Sequence, residues 1–420
     1  MSDLAKPRLT RATRDWFSGS PLESTADAYV QHLVDLGYAP GSIRSYVVTI
    51  AHFAHWLVAS RFVLTDIDET TVDGFIDRHL PHCRCALRLP RLPHYVRPTL
   101  RHLLKMLRTA RLIPPQLSTD PPAISHDLCE FERHMTEVRG LVPVTCNVGV
   151  TRVRAFLLDR FGVRPIRLSS LRRQDVIGFF AKSTANWKPS SKQGMAGALR
   201  SYFRFKAISG EPTTTLSAAI PRIAQWRLAT LPKSLSPSEL TRLLLAFDRT
   251  CATGKRDYAI TRCFADLGLR TAEVARLELG DIDWLAGTLR IRGKGRRVDT
   301  LPLPSTTGQA IVAYLQHGRP DSGARALFLR HRPPVGQPAT RCIVRSAVRY
   351  AAARCGLEAR VGGPHVLRHS VATRLVQGGA TLKEIADVLR HRCLDTSAIY
   401  AKVDLPTLSR VAMPWPGSRS

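Results

Sequence analysis

His365-Val366-Leu367-Arg368-His369-Ser370, directly after Pro364, reads as the opening of a helix with His365 and Arg368 on one face. Proline suits a first turn, and the free N–H groups and dipole expected there would add to an anion site. Three further segments belong with it: Gly268-Leu269-Arg270-Thr271-Ala272-Glu273 upstream, Lys294 between the two, and His391 followed by Tyr400 downstream. They supply two guanidiniums, an ammonium, imidazoles and a phenol. Guanidinium forks match phosphate oxygens bidentately, so Arg270 and Arg368 are candidates to clamp one bridging phosphate. Tyr400 is a candidate nucleophile, and Lys294, His365 and His391 are candidate proton donors or acceptors. No carboxylate cluster stands nearby to hold a metal, so the positive charge would come from side chains. The expected chemistry is metal-free phosphoryl transfer.

Each signal also has an ordinary reading. Arg270 and Glu273 make a surface i to i+3 ion pair in most sequences; the functional version has Glu273 orienting Arg270 toward a phosphate. Lys294 lies in Gly293-Lys294-Gly295, which with Gly287 nearly matches a phosphate-binding loop, but the spacing is one residue too long and Gly295 replaces the required Ser or Thr. Nucleotide binding is therefore rejected, and a lysine on a hairpin tip reaching into a DNA groove is the alternative to a plain basic turn. Tyr400 in Thr396-Ser397-Ala398-Ile399-Tyr400-Ala401 would ordinarily be a packing residue with a wet hydroxyl. As a nucleophile it must lose a proton with a normal pKa of about 10; Arg270, Arg368 and an imidazole are expected to favour the phenolate.

Around these residues the pattern is mostly helical. Ser236-Pro237-Ser238-Glu239 is a capping box that opens a helix through Leu240, Leu243, Leu244 and Phe247. A second helix is expected over Tyr258 to Leu267, and others near 340–355, 365–377, 381–390 and 396–402. Thr288 to Arg292 and Val298 to Leu301 alternate as strands, with glycines 293 and 295 at the hairpin tip.

Upstream, two proline-bearing stretches divide the chain, from Ile113-Pro114-Pro115 to Pro121-Pro122 and from Pro212 past Pro221 to Pro232. The segments before them match each other. Pro40 corresponds to Pro143, Val72-Asp73-Gly74-Phe75-Ile76 to Val176-Ile177-Gly178-Phe179-Phe180, and Leu100-Arg101-His102-Leu103-Leu104 to Leu199-Arg200-Ser201-Tyr202-Phe203. A repeat of this length reads as a duplicated small helical domain. The expected domains are 22–112, 123–211 and 233–412, in a mainly α (α+β) chain.

The 420 residues carry a formal charge of +29, from 62 Lys and Arg against 33 Asp and Glu. That excess favours a polyanionic partner, and an apolar content of 44% excludes a disordered basic tail. The polar, basic segment Met1 to Phe17 has no apolar run of signal length, and no run reaches membrane-spanning length. Nine cysteines without a repeating spacing suit reduced thiols, so a cytoplasmic, nucleoid-associated protein without membrane contact is expected. His82-Cys83-Arg84-Cys85 is the one tight group of metal-ligand types; without a matching second pair, thiols are favoured over zinc.

Taken in this order, the segments from about Ser236 to Leu408 resemble the catalytic domain of the phage-integrase family, the tyrosine site-specific recombinases. The resemblance rests on Gly-Leu-Arg-x-x-Glu at 268–273, the hairpin lysine, His-x-Leu-Arg-His-Ser at 365–370, and Leu-x-His nine residues before Tyr400. The upstream bundles are similar to the family's helical core-binding domain, with a further N-terminal copy. The resemblance implies that Tyr400 attacks the scissile phosphate, leaving a 3′-phosphotyrosyl link and a free 5′-hydroxyl. It implies that Arg270 and Arg368 neutralise the nonbridging oxygens, Lys294 protonates the leaving oxygen, His365 is the base near Tyr400, and His391 hydrogen-bonds the phosphate. No cofactor, ATP or metal is implied. The implied partner is double-stranded DNA with specific recombination sites, bound by a homotetramer or with sister recombinases, for integration, excision or transposition of a mobile element. The segment ending Met413-Pro414-Trp415-Pro416 would be a docking tail between neighbours. One departure is Arg390, where the family usually has glycine; it would either add a phosphate contact or disturb the loop. A type IB topoisomerase and a catalytically silent DNA-binding protein are the alternatives.

Overall fold

The computed structural model describes residues 10–85, 92–116, 120–224, 231–293, 297–391 and 393–403, and it is mainly helical with one small antiparallel sheet. Helices α1 (Arg11–Phe17), α2 (Ala26–Asp35), α3 (Pro40–Ala59), α4 (Glu69–Gly74) and α5 (Pro93–Thr109) form the first bundle. Helices α3 and α5 begin on proline, whose missing N–H has no intrahelical partner to lose in a first turn. Their apolar faces, Val47, Ile50, Phe53, Ala54 and Leu57 against Leu100, Leu103, Leu104 and Leu107, share one core.

A second bundle, with its own core, contains α6 (Pro122–Arg133), α7 (Pro143–Arg160), α8 (Arg173–Thr184), α9 (Pro189–Ile208) and α10 (Thr214–Ala218). The matched motifs are buried at the same spacing in both bundles. Val72, Phe75 and Ile76 correspond to Val176, Phe179 and Phe180, and Leu100, Leu103 and Leu104 to Leu199, Tyr202 and Phe203. Spacings of three and four residues put each trio on one helix face. The bundles differ locally: α8 is regular, whereas α4 runs into a π-helical turn, Phe75–His79, and then a 3-10 turn, Leu80–His82.

By compactness the chain divides into Met1–Pro114 with Leu228–Ser420 as one unit and Pro115–Arg227 as the other. Within the first unit, the Val335 N–H donates to the Leu36 carbonyl at 3.0 Å.

The remaining elements carry the candidate site. Helix α11 (Pro237–Leu245) opens with the expected capping box: the Glu239 N–H donates to Ser236 Oγ at 3.2 Å, and the Ser236 N–H to Glu239 Oε2 at 2.8 Å. Helix α12 (Ala252–Leu267) starts earlier than its apolar residues indicate, because its first turn is polar and capped by Cys251. After α13 (Thr271–Val274) come β1 (Ile282–Asp283), β2 (Thr288–Arg292) and β3 (Val298–Pro302), antiparallel in the order β1-β2-β3 with Arg292 opposite Val298. The two-residue β1 is too short for alternation to reveal.

Helix α14 (Ser305–His317) was not foreseen either; it buries Ala310, Ile311 and Tyr314. Helices α15 (Arg341–Arg354), α16 (His365–Gln377) and α17 (Leu382–Val388) follow. The expected helix at 396–402 is instead a 3-10 run, Ala398–Val403. Helix α12 packs against α14, α15 and α16. Val371, Val376, Ile385, Leu389 and Tyr400 form a smaller core around the C-terminal elements. The expected docking tail at Met413-Pro414-Trp415-Pro416 lies outside the described residues.

Candidate active site

Helix α12 ends on Gly268 at φ +57°, a left-handed conformation that L side chains resist. A Cβ there would also lie 2.7 Å from Leu389 Cδ2, so a side chain at this position would be strained and would have to push that methyl aside. Two residues on, Arg270 caps α13. Its N–H donates to Glu273 Oε2 at 2.8 Å and its Nη1 to Glu273 Oε1 at 2.6 Å. This is no surface ion pair, because the Glu273 side chain is 4% exposed against 37% for Arg270. A buried carboxylate fixes a guanidinium whose outer face stays open.

Arg390 neither reaches outward for a phosphate nor breaks the loop. It sits at φ +54°, ending α17 where a glycine would be unstrained, and its side chain turns inward. Arg390 Nη2 pairs with Glu273 Oε2 at 3.0 Å, with both side chains about 5% exposed or less. Its carbonyl accepts from Arg270 Nη2 at 3.0 Å. Glu273 is thus held between two arginines, and burial is offset so that its carboxyl stays below the usual range through Arg390 and Arg270.

Arg368, in the second turn of α16, is buried and donates to the carbonyls of Gly268 and Leu389. Burial, then Arg270 and Arg390, push its guanidinium down to about 9, still charged at neutral pH. Arg368 therefore ties the end of α12 to the end of α17 and keeps three positive side chains around one carboxylate. Two first-turn amides of α16 are already engaged rather than left for an anion as expected. The Val366 N–H bonds the Gly363 carbonyl (3.3 Å) and the Leu367 N–H the Pro364 carbonyl (3.1 Å), tightening the turn in 3-10 fashion.

Tyr400 is buried, and its hydroxyl lies 2.8 Å from His369 Nδ1. The imidazole bonded to it is thus His369, one turn beyond His365 on α16. His369 stands in the quoted 365–370 motif, and its i+4 spacing was the available signal. Burial raises the Tyr400 pKa and Arg368 alone lowers it, so the phenol is protonated rather than held as the expected phenolate. His391 stacks parallel to Tyr400, ring centroids 6.5 Å apart, and its Nδ1 lies 2.6 Å from Ser397 Oγ. Burial, Arg368, Arg270 and Arg390 push His391 down to about 4, which leaves it neutral at pH 7. His365 stands at the open edge, its pKa lowered by desolvation and by Arg368, Arg270 and Arg345. Beside it runs an open cleft of about 700 Å³ lined by Lys233, Arg341, Arg345 and Arg360. Arg341 and Arg345 share one face of α15, but Lys233 and Arg360 come from other segments, so spacing could not group the whole set.

Lys294 lies outside the described residues, between strands β2 and β3. At the base of that hairpin, Arg292 pairs with Glu278 and Asp281, both at 2.9 Å, and Arg290 with Asp281 at 3.2 Å. Five of the six residues expected to form the site, Arg270, His365, Arg368, His391 and Tyr400, belong to elements that meet here, with Glu273 as the support.

The phage integrase family's sequence pattern matches residues 233–405. The Sinorhizobium fredii (strain NBRC 101917 / NGR234) protein named "Putative integrase/recombinase y4rA" is 38% identical over 392 residues, covering 93% of each chain. The chain belongs to the phage integrase family. Another member, tyrosine recombinase XerC of Myxococcus xanthus, is 29% identical over 307 residues, covering 69% of this chain and 97% of that one. The fold of this integrase-family chain is also that of XerH site-specific recombinase, solved bound to a palindromic difH substrate in a post-cleavage complex. That likeness has a TM-score of 0.54 at 20% identity, covering 69% of this chain and 84% of the other.

Proposed function

We propose that this chain is a site-specific DNA recombinase that cleaves and rejoins DNA through a 3′-phosphotyrosyl intermediate, and that Tyr400 is its nucleophile. The observation that carries the reading is the meeting of Arg270, Arg368, His369 and His391 around a buried tyrosine, with net positive charge left over. That excess suits a pentacoordinate phosphorane, whose added negative charge preorganised donors stabilise without reorganising.

In this mechanism Tyr400 attacks the scissile phosphorus as its proton passes to an imidazole. His369 is within hydrogen-bond distance to receive it, being four residues from His365. Arg270 and Arg368 bind the nonbridging oxygens, His391 hydrogen-bonds one of them, and Lys294 delivers a proton to the departing 5′-oxygen. The phosphotyrosyl ester conserves the energy of the broken bond, so rejoining requires only that a 5′-hydroxyl attack in reverse. The two helical bundles, as separate DNA-binding domains, and the basic cleft beside His365 would follow the duplex backbone. Recombination would proceed in a homotetramer, or with sister recombinases, on the ends of a mobile element.

The test uses nicked suicide duplexes carrying candidate sites from the borders of the element that encodes the chain, with brief EDTA to remove free divalent ions. A covalent protein–DNA adduct on a denaturing gel, absent from Tyr400→Phe, is expected. Strand exchange between two duplexes separates recombination from simple relaxation of supercoils. Specific binding with no adduct on any border would overturn the catalytic reading.

A further inference from the structure

His82-Cys83-Arg84-Cys85 lacks a second pair of ligands in the sequence, but the fold supplies one, and it is not His82. Helix α3 carries His52, 1% exposed, in the interior of the first bundle. The π-helical turn after α4 ends on His79, and the 3-10 turn that follows delivers Cys83 and then Cys85, both as thiols. His82 and Arg84 point to solvent. One ligand atom from each of His52, His79, Cys83 and Cys85 falls within 4.8 Å of every other. His52 Nε2 lies 3.0 Å from His79 Nε2 and 3.3 Å from Cys83 Sγ, and His79 Nε2 lies 3.8 Å from Cys85 Sγ.

We infer that His52, His79, Cys83 and Cys85 form a structural zinc site in the first helical bundle. Zinc bonds of about 2.0–2.1 Å to nitrogen and 2.3 Å to sulfur place tetrahedral ligand atoms roughly 3.3–3.8 Å apart. Those three separations need only a few tenths of an ångström of adjustment, and every other pair already lies within 4.8 Å. The charge also closes. Two thiols lose their protons to solvent, two neutral imidazoles bind, and Zn²⁺ with two thiolates leaves a neutral centre that burial does not penalise. Around it, Phe75 stacks on His79 with centroids 5.2 Å apart, and Phe75 and Trp16 lie 5.0 and 5.6 Å from the His52 ring. Such a shell excludes water and fixes the rings. All four side chains come from two chain segments that no other covalent link joins, so the metal would staple residues 75–85 onto α3. A small bundle gains most from such a staple.

The π turn in the first bundle ends on the ligand His79. In the second bundle the equivalent helix α8 stays regular, and no ligand set accompanies it among the described residues. The turn in the first bundle swings His79 toward α3.

The full-length protein, purified under reducing conditions without chelator, is expected to hold about one equivalent of zinc. Cys83→Ser with Cys85→Ser should lose it, whereas Cys129→Ser with Cys251→Ser, both exposed thiols, should retain it. A second measurement does not depend on the variants folding. Unfolding wild-type protein, removing zinc and refolding with Co²⁺ should give ligand-field bands and a thiolate-to-cobalt charge-transfer band, abolished when Zn²⁺ is added. Protein without stoichiometric metal and without the cobalt spectrum would falsify the site, as would zinc that persists in the double serine variant. Failure here leaves the Tyr400 adduct test untouched, because His52, His79, Cys83 and Cys85 lie in the first bundle and none of them belongs to the candidate active site.

Discussion

The Tyr400 hydroxyl sits 2.8 Å from Nδ1 of His369, in a buried setting that raises the phenol's pKa. A phenol held in this way is protonated, and as the proposed nucleophile it needs an acceptor in place when the phosphate arrives. His369 is the bonded candidate, and its own pKa is lowered by burial, His365 and Arg368, so it is neutral at pH 7 and free to accept.

His369→Ala should therefore slow covalent adduct formation by about 10²-fold, the lower end of what a positioned base contributes. DNA binding, measured by mobility shift, should not change. The adduct rate of the wild type should fall in acid as His369 protonates below the ordinary imidazole value, and a rate that stays flat into acid would rule the residue out as acceptor.

Arg270→Lys retains the charge but cannot make both fork contacts, to Glu273 and to the Arg390 carbonyl. Single-turnover cleavage should drop about 10²-fold or more. Because the guanidinium is partly exposed, the urea midpoint should move little.

Glu273 is the carboxylate between two arginines, and Arg390 is buried with it. Glu273→Gln leaves Arg390 without its countercharge and should lower stability by about 3 kcal/mol. Adding Arg390→Gly removes that stranded charge and the left-handed strain together, so the double variant should regain most of the loss in equilibrium urea unfolding. Equal midpoints for the single and double variants would show that the pair is not what stabilises this corner.

Gly268→Ala should cost about 1–3 kcal/mol, through the positive φ and the collision with Leu389. Cleavage should weaken as well, because the Gly268 carbonyl anchors Arg368.

His391 is pushed down to about 4, and His365 and His369 are also lowered. An unfolded imidazole titrates near 6.5. Between that value and about 4 the unfolded chain binds protons that the folded chain refuses, so stability should fall as pH falls through this window. Urea midpoints at pH 7 and pH 4.5 measure the slope, and His391→Asn should make it shallower.

The family's residues were legible because the chemistry demands particular side chains in a fixed order. Arg270, His365, Arg368, His391 and Tyr400 could be named from local flanks alone, and the burial of Val72, Phe75 and Ile76 beside Val176, Phe179 and Phe180 followed from helical periodicity. Helix α14 and strand β1 were missed, one for want of a side-chain N-cap and one for want of length. The pairing of Tyr400 with His369 and the inward turn of Arg390 onto Glu273 were not readable, since each depends on contacts between segments far apart in the chain.

Sequence by itself determined the helical class and the repeated apolar faces, and it named the candidate reacting groups, because these rest on short-range periodicity and on side-chain chemistry. Tertiary structure decided which imidazole meets the phenol, which arginine is spent on holding a carboxylate, and that His52 and His79 complete a set with Cys83 and Cys85. Those choices are set by angstrom-scale distances between elements, and spacing along a chain carries no record of them.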